Sequence, residues 1–230
     1  MTAAQTASLD DATHTLAEAV SILHEEEAGR ADLYALCSRL LLAAPDASLL
    51  AMLADTAIGL PVPGASALER AWDALAVAAS DSDVSAIAAE FDTLFTSTGT
   101  PVINPYASVF MAGFMHEKPL AALRADLATL GLARIAGRAE AEDHLGILCE
   151  TMRIMIASDN VALRQPLARQ QLFFDAHIAP WYRACLAAIR NAAGARFYVH
   201  VADLAEAFLD VETEAFRLDE ASKSRMEHMA

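Results

Sequence analysis

Apolar residues recur at helical spacing along most of this chain, interrupted by short breaks that carry proline or glycine. A first helix is predicted from about 16 to 43, where Leu33, Leu36, Cys37, Leu40 and Leu41 fall on one face before Pro45 stops it. A short helix with Leu49, Leu50, Met52 and Leu53 precedes the break at 59–64, which holds Pro61 and Pro63. Two more helices fit 66–79, with Leu68, Trp72 and Leu75 inward, and 83–95, with Val84, Ile87, Phe91, Leu94 and Phe95. Beyond the middle of the chain, Lys118-Pro119 opens a helix striped by Leu120, Leu123, Leu127 and Leu130. Further helices are expected at about 139–158, 163–177, 181–191 and 196–210.

One stretch, 94–110, breaks the rhythm. Pro101, Pro105, Gly99 and a run of Ser and Thr argue against a regular helix there, yet Val102, Ile103, Tyr106, Val109 and Phe110 are too apolar for an idle solvated loop. It is predicted to be a connector, at about 96–117, that joins two helical halves and also forms a surface. The expected organisation is a flexible segment at 1–15, one all-helical domain at 16–218 with eight to ten helices, and a loose tail at 219–230.

Composition agrees with an all-α fold. The 230 residues are 55% hydrophobic, much of it Ala, with only 9 Gly and 8 Pro, and the mean hydropathy is +0.31. Three widely spaced cysteines, Cys37, Cys149 and Cys185, form no CxxC pair and suggest a reducing, cytoplasmic setting. No basic, apolar leader opens the chain and no segment is apolar enough to span a bilayer, so a protein free of membrane insertion is expected. The net charge of −15 is uneven: residues 1–93 hold 15 acids against 3 bases. Such a field repels nucleic acid and anionic lipid and attracts cationic partners.

The chain has no phosphate-binding glycine loop, no HExxH and no Glu-x-x-His pair, and neither a metal nor a cofactor is expected. Catalytic residues are not expected either. What remains is a binding constellation: Phe91, Leu94 and Phe95 at a helix end, the Pro-Tyr loop beside them, and Asp143-His144, read as the first turn of the 139–158 helix, where Glu140, Glu142 and Asp143 suit the macrodipole. Spacing alone favours Phe91, Leu94 and Phe95 as plain core and Asp143 as a simple helix-start residue.

Two blocks, Asn104-Pro105-Tyr106-Ala107-Ser108-Val109-Phe110 after Leu94-Phe95 and then Glu142-Asp143-His144-Leu145, resemble the signature segments of the TorD/DmsD/NarJ family of chaperones for molybdenum oxidoreductases. A third block, Phe173-Phe174 through His177 to Pro180-Trp181, resembles a later segment of that family. The departures are Asn104 and Ala107, where the family often has Glu, and Ala141, where Pro is common. The resemblance implies a non-catalytic cytoplasmic chaperone. Its partner would be the twin-arginine signal peptide and immature catalytic subunit of a molybdenum oxidoreductase, held back from export until cofactor insertion. Family members occur as monomers or as helix-exchanging dimers. By the same resemblance, Phe91, Leu94 and Phe95 would line the peptide groove, while Pro105, Tyr106 and Phe110 would shape its loop wall. Ser108 would fix the loop, Asp143 would accept an arginine, and His144 would orient it or touch the peptide. Other readings left open are a helical interaction subunit that binds no signal peptide, and a small helical enzyme using Asp143 and His144.

Overall fold

Helix follows helix throughout the computed structural model, which describes residues 25–60, 62–96, 101–115, 117–132 and 140–227. The expected flexible segment at 1–15 lies outside these. The elements are α1 (Glu25–Leu42), α2 (Ala47–Ala54), α3 (Ala67–Asp81), α4 (Val84–Phe91), a π-helical turn (Asp92–Thr96), α5 (Ala107–Ala112), α6 (Lys118–Thr129), α7 (Leu145–Ala157), a 3-10 turn (Val161–Leu163), α8 (Leu167–His177), α9 (Tyr182–Arg190) and α10 (Phe197–Glu227). Among the described residues there is no strand, so the fold is all-α as expected.

Local chemistry sets most of the helix starts. The Asp46 side chain accepts from Leu49 N at 2.8 Å to begin α2, and Ser66 and Glu69 exchange hydrogen bonds in a capping box at α3. Asp83 accepts from the amides of Ser85 and Ala86 to begin α4. Pro166 stands immediately before α8, which is why that helix starts four residues later than its apolar pattern suggests.

A single cluster of buried apolar side chains draws on both sides of the central connector. Helix α7 packs most extensively along α1, and α10 lies against α3 and α9. Leu145, Leu148, Cys149 and Met152 of α7 are sealed from solvent, as are Tyr198, Ala202 and Leu209 of α10. Each such large apolar side chain contributes about 1.5–3 kcal/mol by leaving water. The close approach of α7 to the end of α1 needs a glycine: a Cβ on Gly146 would sit 2.7 Å from Leu42 Cγ.

Two carboxylates tie α10 into the core. Glu212 is 1% exposed; it receives Arg30 Nε and Nη2, each at 2.7 Å, and the Tyr34 hydroxyl at 2.9 Å. That arrangement turns Tyr34 inward and rotates the buried face of α1, so Leu33 and Leu36 of the expected stripe are only half-buried while Cys37, Leu40 and Leu41 are core. Glu90, on α4, accepts from the backbone amides of Arg196, Phe197 and Tyr198 at 2.9, 3.1 and 2.8 Å, and so supplies the first turn of α10 with hydrogen-bond partners.

Three expectations need correction. The connector contains a helix, α5, because Ala107 to Ala112 are compatible with one and Gly113, at φ +85°, closes it in the left-handed conformation. The segment 140–144 is not the first turn of a helix: Glu142 and Asp143 form a turn, and α7 begins only after His144. The last helix continues well past residue 210, to Glu227.

Candidate functional site

The end of α4 and the π turn present two phenylalanines on one side of a cleft. Phe91 and Phe95 pack against each other with tilted rings, centroids 5.1 Å apart, and both rest on Tyr198 of α10, at 5.7 and 5.2 Å. Leu94, between them, is fully buried and faces the core. The chain then returns close by: the Ile103 amide donates to the Leu94 carbonyl at 2.9 Å.

The facing wall is built by pairing segments 35 residues and more apart. Tyr106 and His144 form an isolated antiparallel bridge, in which the Leu145 amide donates to the Pro105 carbonyl at 2.8 Å and the Ala107 amide donates to the Asp143 carbonyl at 2.9 Å. This pairing is what withdraws Asp143 and His144 from helical geometry. It also turns the Asp143 side chain inward, where it is 1% exposed. Its Oδ2 accepts from the Ser108 amide at 2.9 Å and from the Ser108 hydroxyl, so it caps the start of α5 from outside that helix. Its Oδ1 is buried with no hydrogen-bond partner.

His144 is the N-cap of α7, with Nδ1 accepting from the Gly146 amide at 3.0 Å. That bond requires an unprotonated Nδ1. Burial holds its pKa down at about 4, against the smaller opposing pull of Glu140 and Asp143. The ring meets Tyr106 edge-on at 5.0 Å. The Tyr106 hydroxyl donates to Glu140 Oε2, and burial first, then Glu140, raises the pKa of the phenol. Glu142 is held from α6 by a bidentate Arg124, at 3.1 and 2.8 Å, which secures the 140–144 turn from behind.

Between the two walls lies a cleft of about 260 Å³, lined by Leu41, Leu42, Phe91, Phe95, Thr96, Pro101, Asn104, Pro105, Tyr106, Met115, Glu140 and His144. Of the residues expected from sequence to form a binding site, Phe91, Phe95, Pro105, Tyr106 and His144 meet there. Leu94 is core, Ser108 is buried against Asp143, and Asp143 is enclosed behind the bridge, so its carboxylate does not reach the cleft surface. Phe110 is outside the cleft and stacks on Trp181, centroids 5.6 Å apart, while the Trp181 indole donates to the His177 carbonyl at 2.7 Å. Sequence reasoning did not single out Glu140, the carboxylate that lines the cleft. Its signal was hidden because 140–144 reads as the acidic start of a helix, where any carboxylate is welcome.

Chemically, the cleft has aromatic and aliphatic walls and a partly exposed carboxylate hydrogen-bonded to a phenol. Such a site suits an organic cation with apolar neighbours. Among the described residues it contains no nucleophile–base pair: the imidazole that lines it, His144, uses Nδ1 as a cap, and the three cysteines are core residues, with burial pushing the Cys37 thiol up to about 12 and raising Cys149 and Cys185 also. Among the described residues no three His, Cys, Asp or Glu side chains are grouped to hold a metal ion, and no helix is long and apolar enough to cross a membrane.

A family model described as nitrate reductase delta subunit matches residues 63–187, more than half of the chain and all of the cleft's second wall. No curated protein matches the sequence. Among solved structures, the chain is similar to a crystal structure described as a candidate redox enzyme maturation protein from Archaeoglobus fulgidus, with 19% identity over 80% of this chain and 93% of that one and a TM-score of 0.49.

Proposed function

This chain belongs to the nitrate reductase delta subunit family, a family of NarJ/TorD-type redox enzyme maturation chaperones, and from that premise we propose that it binds the twin-arginine signal peptide of a molybdenum oxidoreductase's catalytic subunit. Binding takes place in the cytoplasm, before cofactor insertion and export, and the protein acts by holding its client and performs no catalysis.

The observation that carries this reading is the cleft between Phe95 and Tyr106, with Glu140 in its lining. A guanidinium is a planar cation whose donors match a carboxylate and whose face stacks on aromatic rings. Glu140 accepts one arginine, sharing its charge with the Tyr106 hydroxyl it already receives. Phe91, Phe95 and Pro105 supply the apolar surround, and the His144 ring forms part of the wall behind Tyr106. Asp143 contributes through the loop: its bonds to Ser108 keep Pro105 and Tyr106 in place. The −15 net charge adds a general attraction for a basic leader.

The test is peptide affinity in the Glu140→Gln variant. Loss of a hydrogen bond to a charged partner weakens binding by about 1.5–3 kcal/mol, roughly tenfold to more than a hundredfold. Glu140 is half-buried at the edge of the fold, so the melting temperature should hold. Unchanged affinity for a twin-arginine peptide would overturn the assignment of the cleft.

A further inference from the structure

Helix α5 is six residues long, too short to be stable in water without help from its surroundings. Its start is well held, by the bonds from Ser108 to Asp143 and by the pairing of 105–107 with 143–145. Its body is supported unevenly. Helix α6 flanks it, but Ala107 and Met111, one turn apart on α5, line a hollow of about 190 Å³ whose other walls include Pro119 and Leu123 of α6 and Leu148 of α7. On that side α5 borders a hollow in place of close-packed side chains, and dispersion holds it less firmly.

On another side it meets an aromatic platform. The half-buried Phe110 lies on Trp181 with centroids 5.6 Å apart and the ring planes inclined by 23°. Trp181 is buried, and its indole N–H donates to the His177 carbonyl at 2.7 Å. His177 is held in turn by its ring, whose Nε2 is 2.7 Å from Asp126 Oδ2 on α6. None of the block from Phe173 to Trp181 lines the cleft, yet its last residue is built into a fixed seat for α5.

Phe110 is joined to the cleft through the backbone. Its amide donates to the Tyr106 carbonyl at 3.2 Å, and the Val109 amide donates to the same oxygen at 3.0 Å. The Phe110 ring and the Tyr106 phenol therefore hang from one turn of chain. We infer that Phe110 and Trp181 are positioning residues of the cleft: their stack seats α5, and α5 sets where the Tyr106 ring stands opposite Phe91 and Phe95. Both act through Tyr106 from outside the cleft. The consequence for binding rests on the cleft being the peptide site; the seating of α5 does not.

Amide hydrogen exchange by NMR, and isothermal titration with a twin-arginine peptide, test this on Phe110→Ala and Phe110→Tyr. The amides of Ala107 and Leu145 make the two bridging bonds of the cleft wall, while those of Met152 and Ala202 belong to the core. In Phe110→Ala, exchange at Ala107 and Leu145 should quicken about tenfold relative to Met152 and Ala202, as the loss of a stacked aromatic pair implies. Peptide affinity should fall several-fold, and Phe110→Tyr, which keeps the ring, should restore both. Equal acceleration at all four amides would make Phe110 ordinary packing and overturn the inference, as would unchanged exchange at Ala107 and Leu145. Wild-type peptide affinity in Phe110→Ala, with wild type itself binding, overturns it too. Absence of peptide binding by wild type overturns the peptide site itself and leaves the exchange comparison to decide whether the stack seats α5.

Discussion

Two buried carboxylates in this fold are treated in opposite ways. Glu212 sits between α1 and α10 with both oxygens occupied, by the two arms of the Arg30 guanidinium and by the Tyr34 hydroxyl. Asp143 is equally enclosed, yet its donors are the amide and hydroxyl of one serine, both on the same oxygen, and the other oxygen has no partner. The first is a closed charge pair that fastens helices together. The second holds the loop that walls the cleft through one oxygen and leaves the other without a partner. Complete and incomplete satisfaction thus separate a carboxylate that fastens helices from one that holds a loop beside the cleft.

The comparison is most directly broken by removing its firm member. Glu212→Ala strands the Arg30 cation in a site where its side chain is 16% exposed, and the expected loss is about 3–5 kcal/mol in urea unfolding. A loss below 1 kcal/mol would mean that this pair does not fasten the helices.

A second measurement probes the cleft wall through pH. The His144 pKa in the folded protein is about 4, below the ordinary value near 6.5, so the unfolded chain binds that proton more readily. The stability owed to the neutral ring is complete above about pH 6.5 and is lost as pH falls toward 4, to the extent of about 3 kcal/mol. His144→Asn keeps an N-cap acceptor without a titrating group. Its unfolding free energy should therefore fall less steeply between pH 6.5 and 4 than that of wild type; identical slopes would show that His144 does not titrate in this way.

The finest discrimination comes from Asp143→Asn. Asn can accept from Ser108 as Asp does and keeps the side chain's shape, so stability should change by less than about 1 kcal/mol, in contrast to Glu212. Chemical denaturation decides it: a loss as large as that for Glu212→Ala would place both carboxylates in the same class.

These two residues also show what was legible in the sequence. Helix positions followed from apolar spacing and caps, because both are local: Asp46, Ser66 and Asp83 act within three residues of themselves. The resemblance to a known family sets the 104–110 loop beside Asp143-His144, and the structure pairs residues 105–107 of that loop with 143–145. The direction of the Asp143 side chain was not legible, since it is set by Ser108, 35 residues away. The same holds for Glu212 and Glu90, whose partners lie 182 and 106 residues distant; in the sequence they count only as part of an acidic surface. Glu140 was obscured by an expected helix that the backbone pairing with Pro105 and Ala107 displaces. The short helix α5 had a visible end signal in Gly113, outweighed by the prolines before it.

The capping of α10 by Glu90 bears on the order in which the molecule is made. Residue 90 is synthesised long before residue 196, so the carboxylate that receives Arg196, Phe197 and Tyr198 waits on a chain whose closing helix does not yet exist. Phe91 and Phe95 rest on Tyr198, and until α10 is added they have no floor. The cleft is therefore a late product of translation: a nascent chain that lacks its last helix carries the second wall and its loop sequence but not the support of the first.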